Sequence, residues 1–192
     1  AAAPRARGGH VPPRIVSVGS LIPRKRHEVL VAALAAIADR PWTATIIGSA
    51  DLDPACAAAL GRQVAAAGLG DRVALVGAVA DTRAALAASD IFVLASEYEG
   101  YGMAFAEALT QGLPVVACDA GAIADLVPRA AGGLVPVGDV AALAAALARL
   151  LDDPAARAKA AAAAYAAGQI LPNWSMTAAL VAAALDAVVE EG

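Results

Sequence analysis

Short apolar runs rich in β-branched residues alternate with longer runs rich in alanine and leucine from residue 14 onward. The first pattern suits buried strands and the second suits helices. It predicts strands at 14–18, 43–47, 72–76, 91–95, 114–118 and 133–135. Helices are expected at 26–39, 54–67, 82–88, 102–111, 121–127, 139–151, 154–167 and 175–190. Asp53-Pro54 and Asp153-Pro154 each pair an N-cap with proline at the first helical position, and Asp139 precedes another helix. Gly68 stops the helix before it. Strands separated by helices imply a doubly wound α/β fold, a parallel sheet of about six strands covered on both faces. Three helices at the C-terminal end have no strand after them. They are expected to pack on one side of the sheet, or to reach toward something outside the chain.

Composition narrows the class. Of 192 residues, 60% are hydrophobic and 17% charged, which excludes a disordered chain. No stretch of about 18 apolar residues runs free of charge, Gly or Pro, so a membrane span is not expected. The net charge of −4 argues against nucleic acid as a partner. Two cysteines and two histidines make neither a disulfide framework nor a zinc site, and the expected compartment is the cytoplasm. Residues 1–13, with no initiating Met and no apolar signal core, read as a linker or a truncated connection. Residues 14–192 are then one domain of a longer protein.

In doubly wound sheets, ligands bind at the carboxyl ends of strands where the strand order reverses. For the order 3-2-1-4-5-6, the loops after the first and fourth strands are neighbours there. They are 19–27 and 96–102, the two most polar loops of the chain. The first, "VGSLIPRKRHEVL", has neither the G-x-G-x-x-G fingerprint of dehydrogenases nor a P-loop. It offers Gly19 for close backbone approach, then Ser20 and the cations Arg24, Lys25 and Arg26. Such a loop suits a phosphate; a solvated basic turn is the bland alternative. In the second, Gly100 and Gly102 allow a tight turn into a helix whose first N–H groups favour an anion. Glu107, a turn and a half into that helix, suits a sugar diol. Glu97 reads as an acid that merely favours the helix start. Asp51-Leu-Asp53 has the spacing of a metal-binding pair but reads as a turn plus an N-cap. Trp42, Tyr165 and Trp174 read as packing residues, and His27 as a first-turn helix residue.

"EGYGMAFAE", Glu99 to Glu107, resembles the E-x7-E signature of retaining glycosyltransferases of family 4, the "group 1" glycosyltransferases of GT-B fold. "IVSVGSLIPRKRHEVLVAAL", "LGDRVALVGAV", "ALTQGLPVVACDAGAIADLV" and "AGGLVPVGDVAALAAAL" resemble further family segments in the family's order, and Asn173-Trp174 opens a last helix. The resemblance covers about residues 14–190 and only the C-terminal, Rossmann-like donor domain. It implies a UDP-, GDP- or ADP-sugar donor, no other cofactor, no metal, and a missing N-terminal domain that supplies the acceptor site. Any membrane contact of the full-length protein, as a peripheral enzyme, would lie in that missing domain. The resemblance assigns Glu107 to the ribose hydroxyls and Glu99 to the donor sugar. Tyr101, Gly102 and Met103 would approach the diphosphate or sugar through backbone N–H groups. Lys25 would neutralise phosphate charge, and Ala78 and Val79 would lie by the base.

Three departures bear on donor affinity and identity. Ser20 stands where the family often has arginine, Lys-Gly has become Lys25-Arg26, and the family's G-G-x-x-E reads Gly121-Ala-Ile-Ala-Asp125. The activity implied is hexosyl transfer from a nucleotide sugar, with this domain inactive alone. A non-catalytic nucleotide-binding regulatory module is the alternative, and a hydrolase or epimerase of the same architecture a third.

Overall fold

A computed structural model describes residues 6–172 together with 176, 178, 179 and 181–183. Its centre is one sheet of six strands: β1 (Arg14–Val18), β2 (Thr43–Ile47), β3 (Val73–Leu75), β4 (Ile91–Leu94), β5 (Val115–Cys118) and β6 (Gly132–Val135). The order is β3-β2-β1-β4-β5-β6, every pairing is parallel, and the order reverses between β1 and β4 as expected. β4 and β5 are buried at every position, which is why their sequences read as unbroken apolar runs.

The helices are α1 (His27–Ala36), α2 (Pro54–Ala66), α3 (Thr82–Ala87), α4 (Met103–Gln111), α5 (Ile123–Leu126), α6 (Val140–Asp152) and α7 (Pro154–Gln169). Asp53, Asp139 and Asp153 cap α2, α6 and α7 through their carboxylates, and Gly68 leaves α2 at φ +68°. Asp51 accepts from the Ser49 hydroxyl, so Asp51-Leu-Asp53 is a turn followed by a cap. Trp42 is buried at the entry to β2, its indole N–H donating to the Ile37 carbonyl at 2.8 Å. The Arg72 guanidinium stacks 3.7 Å from the ring centroid and donates to the carbonyls of Ala38, Arg40 and Trp42.

Alternate strand residues feed two cores. Ile15, Ile46, Ile91, Val93 and Val116 face α1, α2 and α6, while Val16, Ile47, Phe92, Leu94 and Val115 face α3, α4 and α5. The expectation that the C-terminal helices share one side of the sheet is not met. α6 lies on the α1 face, whereas α7 turns across the β6 edge, placing Ala160 in the first core and Ala164 in the second. Its last turn packs so closely on α4 that a Cβ on Gly168 would fall 2.5 Å from the Leu109 backbone. A helix lined with alanine and glycine permits this backbone-to-backbone approach. Of the helix expected at 175–190, the described residues are helical, and Trp174 lies outside the described set. Among the described residues no helix is long and apolar enough to cross a membrane.

Candidate functional site

At the reversal point, a cleft of about 500 Å³ opens between the loops that follow β1 and β4. Gly19, Ser20, Arg24 and Lys25 form one wall; Glu99, Gly100, Tyr101, Gly102 and Met103 form the other; Thr82 and Glu107 close it. Apart from Arg26, which lines a neighbouring groove, the candidates from the two loops therefore meet in one place. Val79 does not: it is exposed and outside the cleft lining. A larger hollow, of about 800 Å³, lies at the amino end of the sheet. Its chemistry is spent on structure. Asp90 accepts from the backbone N–H groups of His10 and Arg14 and pairs with the His10 ring, and Arg157 donates to the carbonyls of Leu150 and Leu151.

The three consecutive cations share no partner. Arg26 donates to Glu28 Oε1 at 2.6 Å and reaches Glu97 Oε2 at 3.4 Å. The hydrogen bond to Glu28 holds its pKa above the ordinary arginine value. Arg26 also carries a left-handed backbone, φ +50°, the one non-glycine residue with positive φ among the described residues. That conformation costs about 1 kcal/mol, and its contacts hold it there. Lys25 Nζ donates to Glu99 Oε1 at 2.6 Å. Arg24 donates to a neutral group, the Tyr98 carbonyl, at 3.0 Å. Of the three, only Arg24 lacks a carboxylate partner among the described residues, and it lines the cleft.

The β4 loop is built to hold Glu99. The Ser96 hydroxyl donates to Glu99 Oε1 at 2.7 Å, leaving Oε2 without a partner among the described residues. Ala122 N–H donates to the Glu99 carbonyl at 3.0 Å, and Gly121 crosses so near that a Cβ there would sit 2.3 Å from that oxygen. Gly121 has φ +59°, so both its space and its backbone call for glycine. Gly102, at φ +85°, starts α4 without a side-chain cap, so the N–H groups of Met103, Ala104 and Phe105 have no partner among the described residues. Tyr101 and Met103 are exposed at the rim. Glu107 accepts from the Thr82 hydroxyl through Oε2 at 2.9 Å, and its Oε1 has no partner among the described residues.

The cleft thus faces the cations of one loop with the uncapped helix N–H groups and Glu99 of the other, and Glu107 closes it. It suits a ligand with an anionic middle and hydroxyls at both ends. Ser96, Thr82 and Gly121 were not singled out from the sequence. A serine directly after an apolar strand and a threonine opening a helix are weak signals alone. Gly121 was visible only through the segment resemblance. Among the described residues no cluster of His, Cys, Asp or Glu is arranged to hold a metal ion. Cys56 and Cys118 are both free; burial raises the pKa of each, and Cys118 is buried against the Ala95 carbonyl.

A family model described as "Glycosyl transferases group 1" matches residues 12–153. A lipopolysaccharide core biosynthesis mannosyltransferase, LpcC, of Rhizobium leguminosarum bv. viciae is 37% identical over 116 residues, 59% of this chain and 33% of that protein. The chain spans about a third of the length of the curated relatives it matches. Among solved structures, Anabaena Alr3699/HepE in complex with UDP and glucose superposes with TM-score 0.82 at 28% identity, covering 91% of this chain and 48% of that one. The C-terminal domain of a glycosyl transferase group 1 family protein (LpcC) from Francisella tularensis superposes with TM-score 0.75 at 26% identity, covering 86% of this chain and 93% of that one.

Proposed function

The chain belongs to the glycosyl transferases group 1 family, and from that premise we propose that residues 14–192 are the donor-binding domain of a retaining hexosyltransferase. The donor is a UDP-, GDP- or ADP-sugar, and the acceptor site belongs to a further domain. The observation that carries this reading is the cleft itself. Two loops 74 positions apart, joined by the Lys25–Glu99 ion pair, converge there with the uncapped start of α4.

In this reading the diphosphate sits against the N–H groups of Met103 and Ala104, with Gly19, Ser20, Gly100 and Gly102 allowing close approach. Arg24 and Lys25 supply positive charge. Glu107 accepts from the ribose hydroxyls through Oε1, while Thr82 holds its other oxygen. Glu99 faces the transferred sugar, and Tyr101 covers it from the rim. As the sugar–phosphate bond breaks, the new charge on the leaving diphosphate meets fixed dipoles and cations that need no reorganisation. Ala78 and Val79, in the loop after β3, lie by the base. The partial coverage of the relatives supports a second, N-terminal domain in the full-length protein. The free thiols suit a reducing compartment, and a cytoplasmic location is part of the proposal.

A thermal-shift panel of UDP, GDP, ADP and NAD tests the reading. A diphosphate at 100-fold its Kd adds about 2.7 kcal/mol of stability, several degrees of Tm. Stabilisation by NAD alone would sink the proposal. Glu107→Ala removes a charged hydrogen-bonding group worth about 2 kcal/mol and should erase most of that shift.

A further inference from the structure

We infer that His27, which does not line the cleft but bonds the Gly19 backbone behind it, is a positioning residue that aims the Ser20 backbone N–H at the donor phosphate. The inference rests on the donor reading above and deepens it. Past the end of β1 the chain stays extended beside the end of β2: Gly19 N–H donates to the Ile47 carbonyl and Leu21 N–H to the Ser49 carbonyl, both at 2.9 Å. The Gly19 carbonyl faces the same way, since a Cβ on Gly48, just after β2, would lie 1.9 Å from it. In a trans peptide the carbonyl and the following N–H point in opposite directions. Ser20 N–H therefore faces β4, whose loop forms the far wall of the cleft. It has no partner among the described residues, although Gly19 and Ser20 both line that cleft.

His27 sets this orientation. Its Nε2 lies 3.1 Å from the Gly19 carbonyl, and its Nδ1 is buried without a partner. A carbonyl only accepts, so Nε2 carries the proton. The ring is 4% exposed and lines a neighbouring groove with Leu21, Cys56 and Leu60. Gly48 provides the room and His27 provides the hydrogen bond; among the described residues no other side chain holds the Gly19 carbonyl. Without that donor, only the flanking N–H bonds of Gly19 and Leu21 restrain the Gly19–Ser20 peptide, and its plane can tilt the Ser20 N–H away from the ligand.

Calorimetric titration of the 192-residue chain with UDP, GDP and ADP, and with uridine, guanosine and adenosine, tests this. His27→Phe keeps a ring but removes the donor; His27→Gln places an amide N–H at the reach of Nε2. We expect His27→Phe to lose about tenfold in affinity for the diphosphate that the parent binds and nothing for its nucleoside. His27→Gln should stay within about threefold of the parent on both, restoring what His27→Phe loses. Parent-like diphosphate affinity in folded His27→Phe overturns the inference, as does an equal loss for nucleoside and diphosphate. Should His27→Phe not fold, the Ser20 amide resonance decides. Slowed exchange and a shifted signal on adding the diphosphate support the inference; an unmoved signal overturns it. A parent chain that binds none of the three diphosphates removes the donor reading and this inference together, whereas a failure confined to His27 leaves the donor reading intact.

Discussion

Removing the Arg24 guanidinium separates the phosphate contribution from the rest of the site. Lys25 and Arg26 are each matched by a carboxylate, but Arg24 spends one N–H on a backbone carbonyl and presents the remainder to the cleft. Arg24→Ala should weaken diphosphate binding by roughly tenfold and leave nucleoside binding unchanged, as read by calorimetry. An equal loss on both ligands would assign Arg24 to loop structure instead. At this scale the sequence was informative where residues carry charge. Glu99, Glu107, Lys25 and Arg24 stand out in an alanine-rich chain, and they meet. It was silent on the pairs Lys25–Glu99 and Arg26–Glu97, because those contacts join positions more than 70 residues apart. It was also silent on Gly48 and Gly121, whose role is the space that a missing Cβ leaves for another backbone.

Elements were legible wherever a local signal has a physical cause. Asp53, Asp139 and Asp153 start their helices, and period and burial agree in β4 and β5. Boundaries shifted where a special backbone intervenes. α1 starts at His27 because Arg26 is left-handed and ends a 3-10 turn instead. The seating of α7 was hidden because a helix of alanines shows no apolar face to a sequence reader, yet Ala160, Ala164 and Gly168 are its buried stripe. That packing makes a sign-inverting prediction. Gly→Ala inside a helix ordinarily gains about 1 kcal/mol. At Gly168 the new methyl meets the Leu109 backbone, so Gly168→Ala should instead destabilise by about 1–3 kcal/mol, checked by urea unfolding. A stabilised variant would show that α7 is not held there.

At the scale of the whole molecule, one sheet brings two polar loops together around an open cleft, which the proposed function completes with a second domain. The chain alone should therefore bind a nucleoside diphosphate and transfer no sugar to added acceptors, measured by release of diphosphate from UDP-, GDP- and ADP-sugars. Turnover to an acceptor by this chain alone would refute the need for a second domain. The Lys25–Glu99 pair carries a further consequence for a body of net charge −4. An incoming diphosphate is repelled at long range and attracted only at close quarters. If it takes Lys25, it displaces Glu99, so at Lys25 one ion pair is exchanged for another, and only Arg24 adds a new one. Added salt then screens the distant repulsion as well as the local attraction. Donor affinity should accordingly vary only shallowly with ionic strength, and the carboxylate released from Lys25 becomes free to accept from the sugar as the phosphate arrives.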